Sequence, residues 1–577
     1  MKTISIRLAT GFASLILTAI SVSADALLDS RFTTSSGKYA RIYTTDANKA
    51  AGNSVTTWSN GTQTQAFPVY SGVQEIYSSA SWLYVRSSGL GLHVMGPWYL
   101  NAAHTAAFPN YPVNTKSLYR IPRTITVPAT KTLTGLGVIG YFVDGVSMFD
   151  SRDGFVWTGS GETGMGTGYW NREAYVNEGV TFDPGYAHQE NSGTHHYHAN
   201  PIALRYELGD HVDFNATTKT YSESTNAVTK HSPILGWVRD GCPVYGPHGH
   251  SSASNSASGL RRMVSGYVLR NGQNGTQDLT VVGRTNIPAW AVRLYNVAAN
   301  QSGPTVSTTY PLGRYLEDND YLGDLAYTQG LDFDLDEYNG RWCVTPEFPG
   351  GTYAYFVSIS NNGTPTFPYN IGRSFYASPT GSAVTSLTEA VTTNFVGGAN
   401  TALKLNPPAV GHGSVTLVWS AVEGGTYQVE ANTNLSGWTV LATNVSPTQN
   451  VADYTNVTSE AQKFFRVART ALANYDGYTG GGGGTNAVAP GGSASRGTTV
   501  TVTITLPTTP PQPPANLVPT SVTLAGTIAG TGISRPAQGT VIATFAIPAG
   551  APTGAQNIVI VFNPAPTYTM TGAFTIN

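Results

Sequence analysis

Charged residues make up only 11% of this 577-residue chain, and they nearly cancel to a formal net charge of −2. Such a surface has no long-range field to draw in nucleic acid or an anionic membrane, so neither is an expected partner. Cysteine is rarer still: Cys242 and Cys343 are the only two, and they form no Cys-x-x-Cys zinc pair. Beyond the first two dozen residues no stretch is long and apolar enough to span a bilayer, and no lipidation motif is evident. Heptads and long amphipathic helical runs are missing, as are a Gly-rich phosphate loop and a nucleophile elbow. These absences argue against a coiled coil, a P-loop enzyme and an α/β-hydrolase.

What the chain does have begins with a basic start, Lys2 and Arg7, an apolar stretch from Leu8 to Ile20, and small residues Val22 and Ala24. This pattern predicts a signal peptide over 1–24, cleaved near Ala24, and hence a secreted or cell-surface protein. The abundance of Gly, Thr, Ser, Asn, Tyr and Val favours strands and turns, so the expected class is all-β. Composition divides the mature chain into a Tyr- and Trp-rich region, 25–380, a stretch of short alternating strands, 384–473, a Gly-rich linker, 474–497, and a last strand-rich region, 498–577. The architecture this implies is one large β-sandwich-like domain followed by two small immunoglobulin-like β-sandwich modules. Within the last region, PTTPPQPP reads as a stiff spacer.

The large region carries an internal echo over about 136–200 and 232–358. IGYFVDGVSMFD aligns with LGWVRDGCPVYG, matching Asp144-Gly145 to Asp240-Gly241, and GTHHYH from Gly193 aligns with GTYAYF from Gly351. Each half therefore predicts a strand ending in an Asp-Gly turn and a later strand opened by Gly-Thr. The halves differ in one respect. Four of the eleven histidines of the chain, His188, His195, His196 and His198, fall within eleven residues of the first half, whereas the second half has Tyr353, Ala354, Tyr355 and Phe356 on the matching strand. The strand can thus be built without imidazoles, which points to chemistry in the first copy.

On a strand His196 and His198 share a face, a chelating pair suited to Zn or Cu. Further ligands are expected from His188 or from the PHGH segment, where His248 and His250 again sit two apart. His195 faces the other way and is a secondary candidate, as is His231, with an ordinary surface histidine as the alternative. Asp144 and Asp240 are candidates as ligands or as acceptors for imidazole N–H groups, against a plain turn role. His93 and His104 read as structural. Asp332, Asp334 and Asp336 alternate like a calcium loop but lack the Gly and the bidentate Glu of an EF-hand, so a solvated turn is expected in place of Ca. In an exported chain Cys242 and Cys343 are expected to pair, closing a loop of about 100 residues worth roughly 4 to 5 kcal/mol, with two buried thiols as the alternative.

The segment HHYH, 195–198, with SWLYVRSSGLGLHVMGPW, ILGWVRDGCPVYGP and DEYNGRWCVTPEFPGGTYAYF in the same order, resembles the YHYH family of exported bacterial proteins, His195 standing for the first Tyr. The resemblance implies an exported β domain and no defined activity. TYQVEANTNLSGWTVLA and FFRVA resemble fibronectin-III-like modules, and the segment from Val518 resembles IPT/TIG-like immunoglobulin domains; both imply spacing, adhesion or attachment. Three functions stay open. The first is metal holding at the histidines. The second is a metal-dependent hydrolase or oxidase with Glu190 or Asp183 as base. The third is a surface protein contacting carbohydrate or another cell-surface protein, with no metal role.

Overall fold

The computed structural model describes residues 25–577 apart from 412, 448–449, 461, 478–485, 490–491, 507–512, 514–516, 538 and 564–566. The signal segment 1–24 therefore lies outside the described residues, as do parts of the Gly-rich linker and most of the Pro-rich spacer. The chain is all-β: strands dominate, and among the described residues the longest helix, Ala289–Tyr295, has seven residues. No described helix is long and apolar enough to cross a membrane.

Contacts divide the chain into two compact units, one ending at Gly397 and one from Gly398 to Asn577. The first unit is organised by an eight-stranded sheet made of β1 (Val138–Phe142), β2 (Ser147–Phe149), β3 (Ala187–Gln189), β4 (His195–Tyr197), β5 (Ile234–Val238), β6 (Pro243–Tyr245), β7 (Gly340–Cys343) and β8 (Thr352–Phe356). Their spatial order is β3-β4-β2-β1-β5-β6-β8-β7. Read from the centre outward, the two halves are the same motif. β1–β2 and β5–β6 are antiparallel hairpins, β4 joins β2 in parallel and β8 joins β6 in parallel, and β3 and β7 close the edges antiparallel. β1 and β5 meet antiparallel in the middle, as a pseudo-two-fold axis requires.

The registers agree residue by residue. Tyr197 pairs with Met148 as Tyr355 pairs with Val244, and His188 pairs with His196 as Arg341 pairs with Ala354. Each hairpin turns on its Asp-Gly: Asp144 Oδ1 accepts from the Val146 N–H at 3.1 Å and Asp240 Oδ1 from the Cys242 N–H at 3.0 Å. A five-stranded sheet, in the order Ser382–Ala383, Ser117–Pro122, Trp82–Ser87, Val73–Ser78, Thr392–Val396, contributes Val73, Ile76, Leu83, Val85, Tyr119 and Ile121 to the same buried cluster as the central strands. Tyr119 stacks on Tyr141 with ring centroids 3.5 Å apart.

The disulfide expected between Cys242 and Cys343 is not formed; both are free, buried thiols. The sheet order explains why. Cys343 pairs with Thr352 on one edge of β8, whereas Cys242 immediately precedes β6, which lies along the other edge. Two strand spacings, about 10 Å, separate the segments, beyond the roughly 7 Å a disulfide bridges.

In the second unit, two three-stranded sheets share one core of Leu417, Trp419, Tyr427 and Val429. A further eight-stranded sheet, from 486 to 576, encloses its own, with Val502, Ile504, Ala543, Phe545, Ile558 and Ile560 fully buried.

Candidate metal centre

The register of the β3–β4 pair sets His188 directly opposite His196, and the two-residue period brings His198 to the same face. Ring centroids are 4.6 Å apart for His188 and His196, 4.8 Å for His196 and His198, and 5.5 Å for His188 and His198. All three side chains are buried, and one ligand nitrogen from each lies within 4.8 Å of the others. Phe149 stacks on His196 at 3.7 Å, and Phe182 meets His188 edge-on at 4.8 Å, so an apolar wall holds the rings.

The outer nitrogen of each ring is tied to oxygen. His196 Nδ1 lies 2.9 Å from the Thr194 carbonyl and His198 Nδ1 lies 2.6 Å from the Asp150 carbonyl. Carbonyls only accept, so both rings carry a proton at Nδ1. His188 Nδ1 lies 2.7 Å from Thr181 Oγ1, whose own hydrogen goes to the Glu178 carbonyl, so Thr181 accepts from His188 as well. In the neutral rings all three Nε2 atoms are therefore bare. The Nε2 atoms of His196 and His198 are 3.0 Å apart, a repulsive approach for two lone pairs unless a proton or a metal cation comes between them. Burial opposes the proton: it drives the pKa of His188 and of His196 well below the ordinary imidazole range, neighbouring imidazoles adding to the effect, and that of His198 to about 4.

A carboxylate completes the group. Glu178 Oε2 lies 3.4 Å from His198 Nε2 and 3.9 Å from His188 Nε2, and this atom is buried without a hydrogen bond. Burial, reinforced by Asp153 and opposed by Arg172, pushes Glu178 up to about 8. Glu178, Thr181 and Asp150 escape sequence reasoning, because they reach the site from a short helix, a 3₁₀ turn and the end of β2 with no fixed spacing to the histidines.

Other candidates lie elsewhere. His248 and His250, expected as further ligands, belong to neither of the two ligand clusters found among the described residues. Their strand, paired with Leu260–Arg262 in a separate two-stranded sheet, directly follows β6, which lies four strand spacings from β4, about 19 Å. His248 packs against His211 at 5.1 Å and His250 against His231 at 5.2 Å, while His231 Nδ1 is held 2.7 Å from the Ser232 carbonyl. Asp144 and Asp240 serve the turns, and Asp240 also accepts from the Tyr355 hydroxyl at 2.7 Å. His195 points away from His196 toward Trp98 and His93, with ring centroids 6.3 and 6.1 Å away. Glu190 is spent on the backbone and hydroxyl of Ser192 and the N–H of Thr194. Asp334 pairs with Arg261, Asp336 accepts from Tyr353, and Asp332 accepts from the Thr328 N–H.

No curated protein matches the chain. Residues 118–368 match the family model described as YHYH protein, a span that holds the whole eight-stranded sheet with His188, His195, His196 and His198. The segment of the chain that builds the histidine cluster is thus a YHYH domain.

Proposed function

We propose that the YHYH domain holds one transition-metal ion, Zn(II) or Cu(II), through the Nε2 atoms of His188, His196 and His198, with Glu178 as fourth donor. The observation that carries this reading is the commitment of all three Nδ1 hydrogens to oxygen acceptors, which leaves three bare nitrogens converging in a buried pocket. Acceptors behind the ring are what metal-ligating histidines ordinarily have, because they hold the tautomer and the ring plane. The second half of the sheet supports it from the other side. At the position of His188 it has Arg341, a permanent cation 5.4 Å above the Phe356 ring, where the first half has imidazoles able to take one up.

A four-donor buried site favours holding an ion over turning over a substrate, since catalysis asks for an open coordination position. The hydrolase or oxidase reading also lacks its two expected bases at this site: Glu190 is engaged in its own loop and Asp183 with His93. In this proposal residues 1–24 direct export, and the C-terminal modules space or attach the domain at the cell surface. Elemental analysis of the mature chain beside a His196→Ala/His198→Ala variant tests the site. Loss of about one ion per chain is expected, and equal trace metal in the two proteins overturns the reading.

A further inference from the structure

The opposite face of β4 carries a second cluster, made of His93, Asp183 and His195, all buried, with one ligand atom of each within 4.8 Å of the others. Asp183 is set in place by the backbone. Its Oδ1 accepts from the N–H groups of Gly185 at 2.8 Å and Ala187 at 3.2 Å, and its Oδ2 from the Gly96 N–H at 2.9 Å, with His93 Nε2 also 2.9 Å from Oδ2. His195 is the unusual member: it is fully buried, and neither ring nitrogen has a hydrogen-bond partner in the protein. A buried polar side chain with both nitrogens unpaired is destabilising, so the fold has a reason to supply a partner.

The pseudo-symmetric half shows what the same place looks like when it is satisfied from within. Because Ala187 pairs with Tyr197 as Gly340 pairs with Tyr355, Asp183 corresponds to Asp336 and His195 to Tyr353. The two aspartates hold the same loop: Asp336 Oδ1 accepts from the N–H groups of Tyr338 and Gly340, as Asp183 Oδ1 does from those of Gly185 and Ala187. In the second half the Tyr353 hydroxyl closes the arrangement by donating to Asp336 at 2.9 Å. In the first half an imidazole replaces the phenol, and a second imidazole, His93, enters from a segment outside the family match. Two glycines make room for it. A Cβ on Gly185 would lie 2.6 Å from His93 Nε2, and one on Gly91 would lie 3.0 Å from His93 Nδ1 and 3.5 Å from His195 Nε2.

We infer that His93, Asp183 and His195 form a second cation site, on the other side of β4 from the three-histidine centre, which takes a divalent transition metal through two imidazoles and one carboxylate. Two nitrogens and one oxygen suit Zn(II), Fe(II), Mn(II) or Co(II), and the single negative charge of Asp183 offsets part of the ion's charge in a buried setting. The site stands on residues separate from those of the first centre.

The test is a titration of the metal-stripped full chain with Co(II), counting bound ions after gel filtration. Wild type is compared with His195→Tyr, which installs the residue of the second half, with His93→Ala, and with His196→Ala/His198→Ala; circular dichroism reports folding. The expected result is two ions in wild type and one in each variant, with different Co(II) absorption spectra for the two sites. A single ion in wild type that persists in His195→Tyr and His93→Ala but disappears from His196→Ala/His198→Ala overturns the second site and leaves the first. A single ion with the reverse pattern supports the second site and overturns the first, and no bound ion overturns both. If His195→Tyr fails to fold, His93→Ala decides.

Discussion

By accepting from His188 Nδ1–H, Thr181 decides which nitrogen of that ring faces the centre. Replacing it by Val leaves the buried Nδ1–H of His188 without an acceptor, so Thr181→Val is expected to weaken ion binding by about 10- to 100-fold. Competition with a chromophoric chelator measures this, and an unchanged affinity means the Nδ1 bond is not what orients the ring. The two cysteines carry a second expectation at this scale. Burial raises both thiol pKa values, with Asp240 adding to the effect at Cys242 and Arg341 opposing it at Cys343. A thiol reagent should find none in the native protein and two per chain in denaturant. Two reactive thiols without reductant rule out the bridge; none in denaturant would restore it.

Among the elements, β4 and β8 are one strand used twice, and the comparison is itself testable. Tyr355 donates to Asp240 and accepts from the Tyr376 N–H, whereas the matching Tyr197 hydroxyl is buried with no protein partner. Tyr355→Phe leaves the Tyr376 N–H without its acceptor and takes one donor from the buried Asp240, which keeps the N–H groups of Cys242 and Ala377, and is expected to cost about 1–3 kcal/mol, while Tyr197→Phe costs less than about 1 kcal/mol. Urea midpoints of the two variants measured side by side check the asymmetry. Much of this pairing is legible in sequence: Asp144-Gly145 and Asp240-Gly241 mark equivalent turns, and Gly193 and Gly351 mark equivalent strand starts. The shared Asp183 and Asp336 loop is not, because FDPGYA and LDEYNG agree only in the aspartate that collects the N–H groups. Turn chemistry of that kind tolerates most side chains at the positions that supply only backbone.

For the whole molecule, stability should respond to metal and to pH. An ion bound only by the folded chain stabilises it by mass action, about 2.7 kcal/mol at a hundredfold excess over Kd, so a chelator is expected to lower Tm. An unchanged Tm after verified metal removal contradicts a tight site. Glu317 is fully buried and is pushed up to about 7 by burial, against the bonds it accepts from Asn171 and Tyr295. With its folded pKa raised, its contribution is complete below about 4.5 and is lost as pH rises through 7. A Glu317→Gln variant should lack this loss, so its stability relative to wild type is expected to improve between pH 5 and pH 8 by up to roughly 3 kcal/mol. Parallel urea curves at the two pH values test it, and a constant difference removes Glu317 as the cause.

The strand class, the doubled Asp-Gly and Gly-Thr motifs and the concentration of histidines in one copy are properties of local pattern, and they were readable because period and turn chemistry act over a few residues. Which histidines meet was a matter of strand order and register. Pairing of β3 with β4 set His188 on His196, while the pseudo-two-fold arrangement carried His248 and His250 to the far half. The same order laid β8 between the two cysteines. His93 reached its place through long-range packing, and Glu178 and Thr181 through the irregular helix and 3₁₀ turn just before β3; neither leaves a spacing rule in the chain, so their roles became visible when the sheet was assembled.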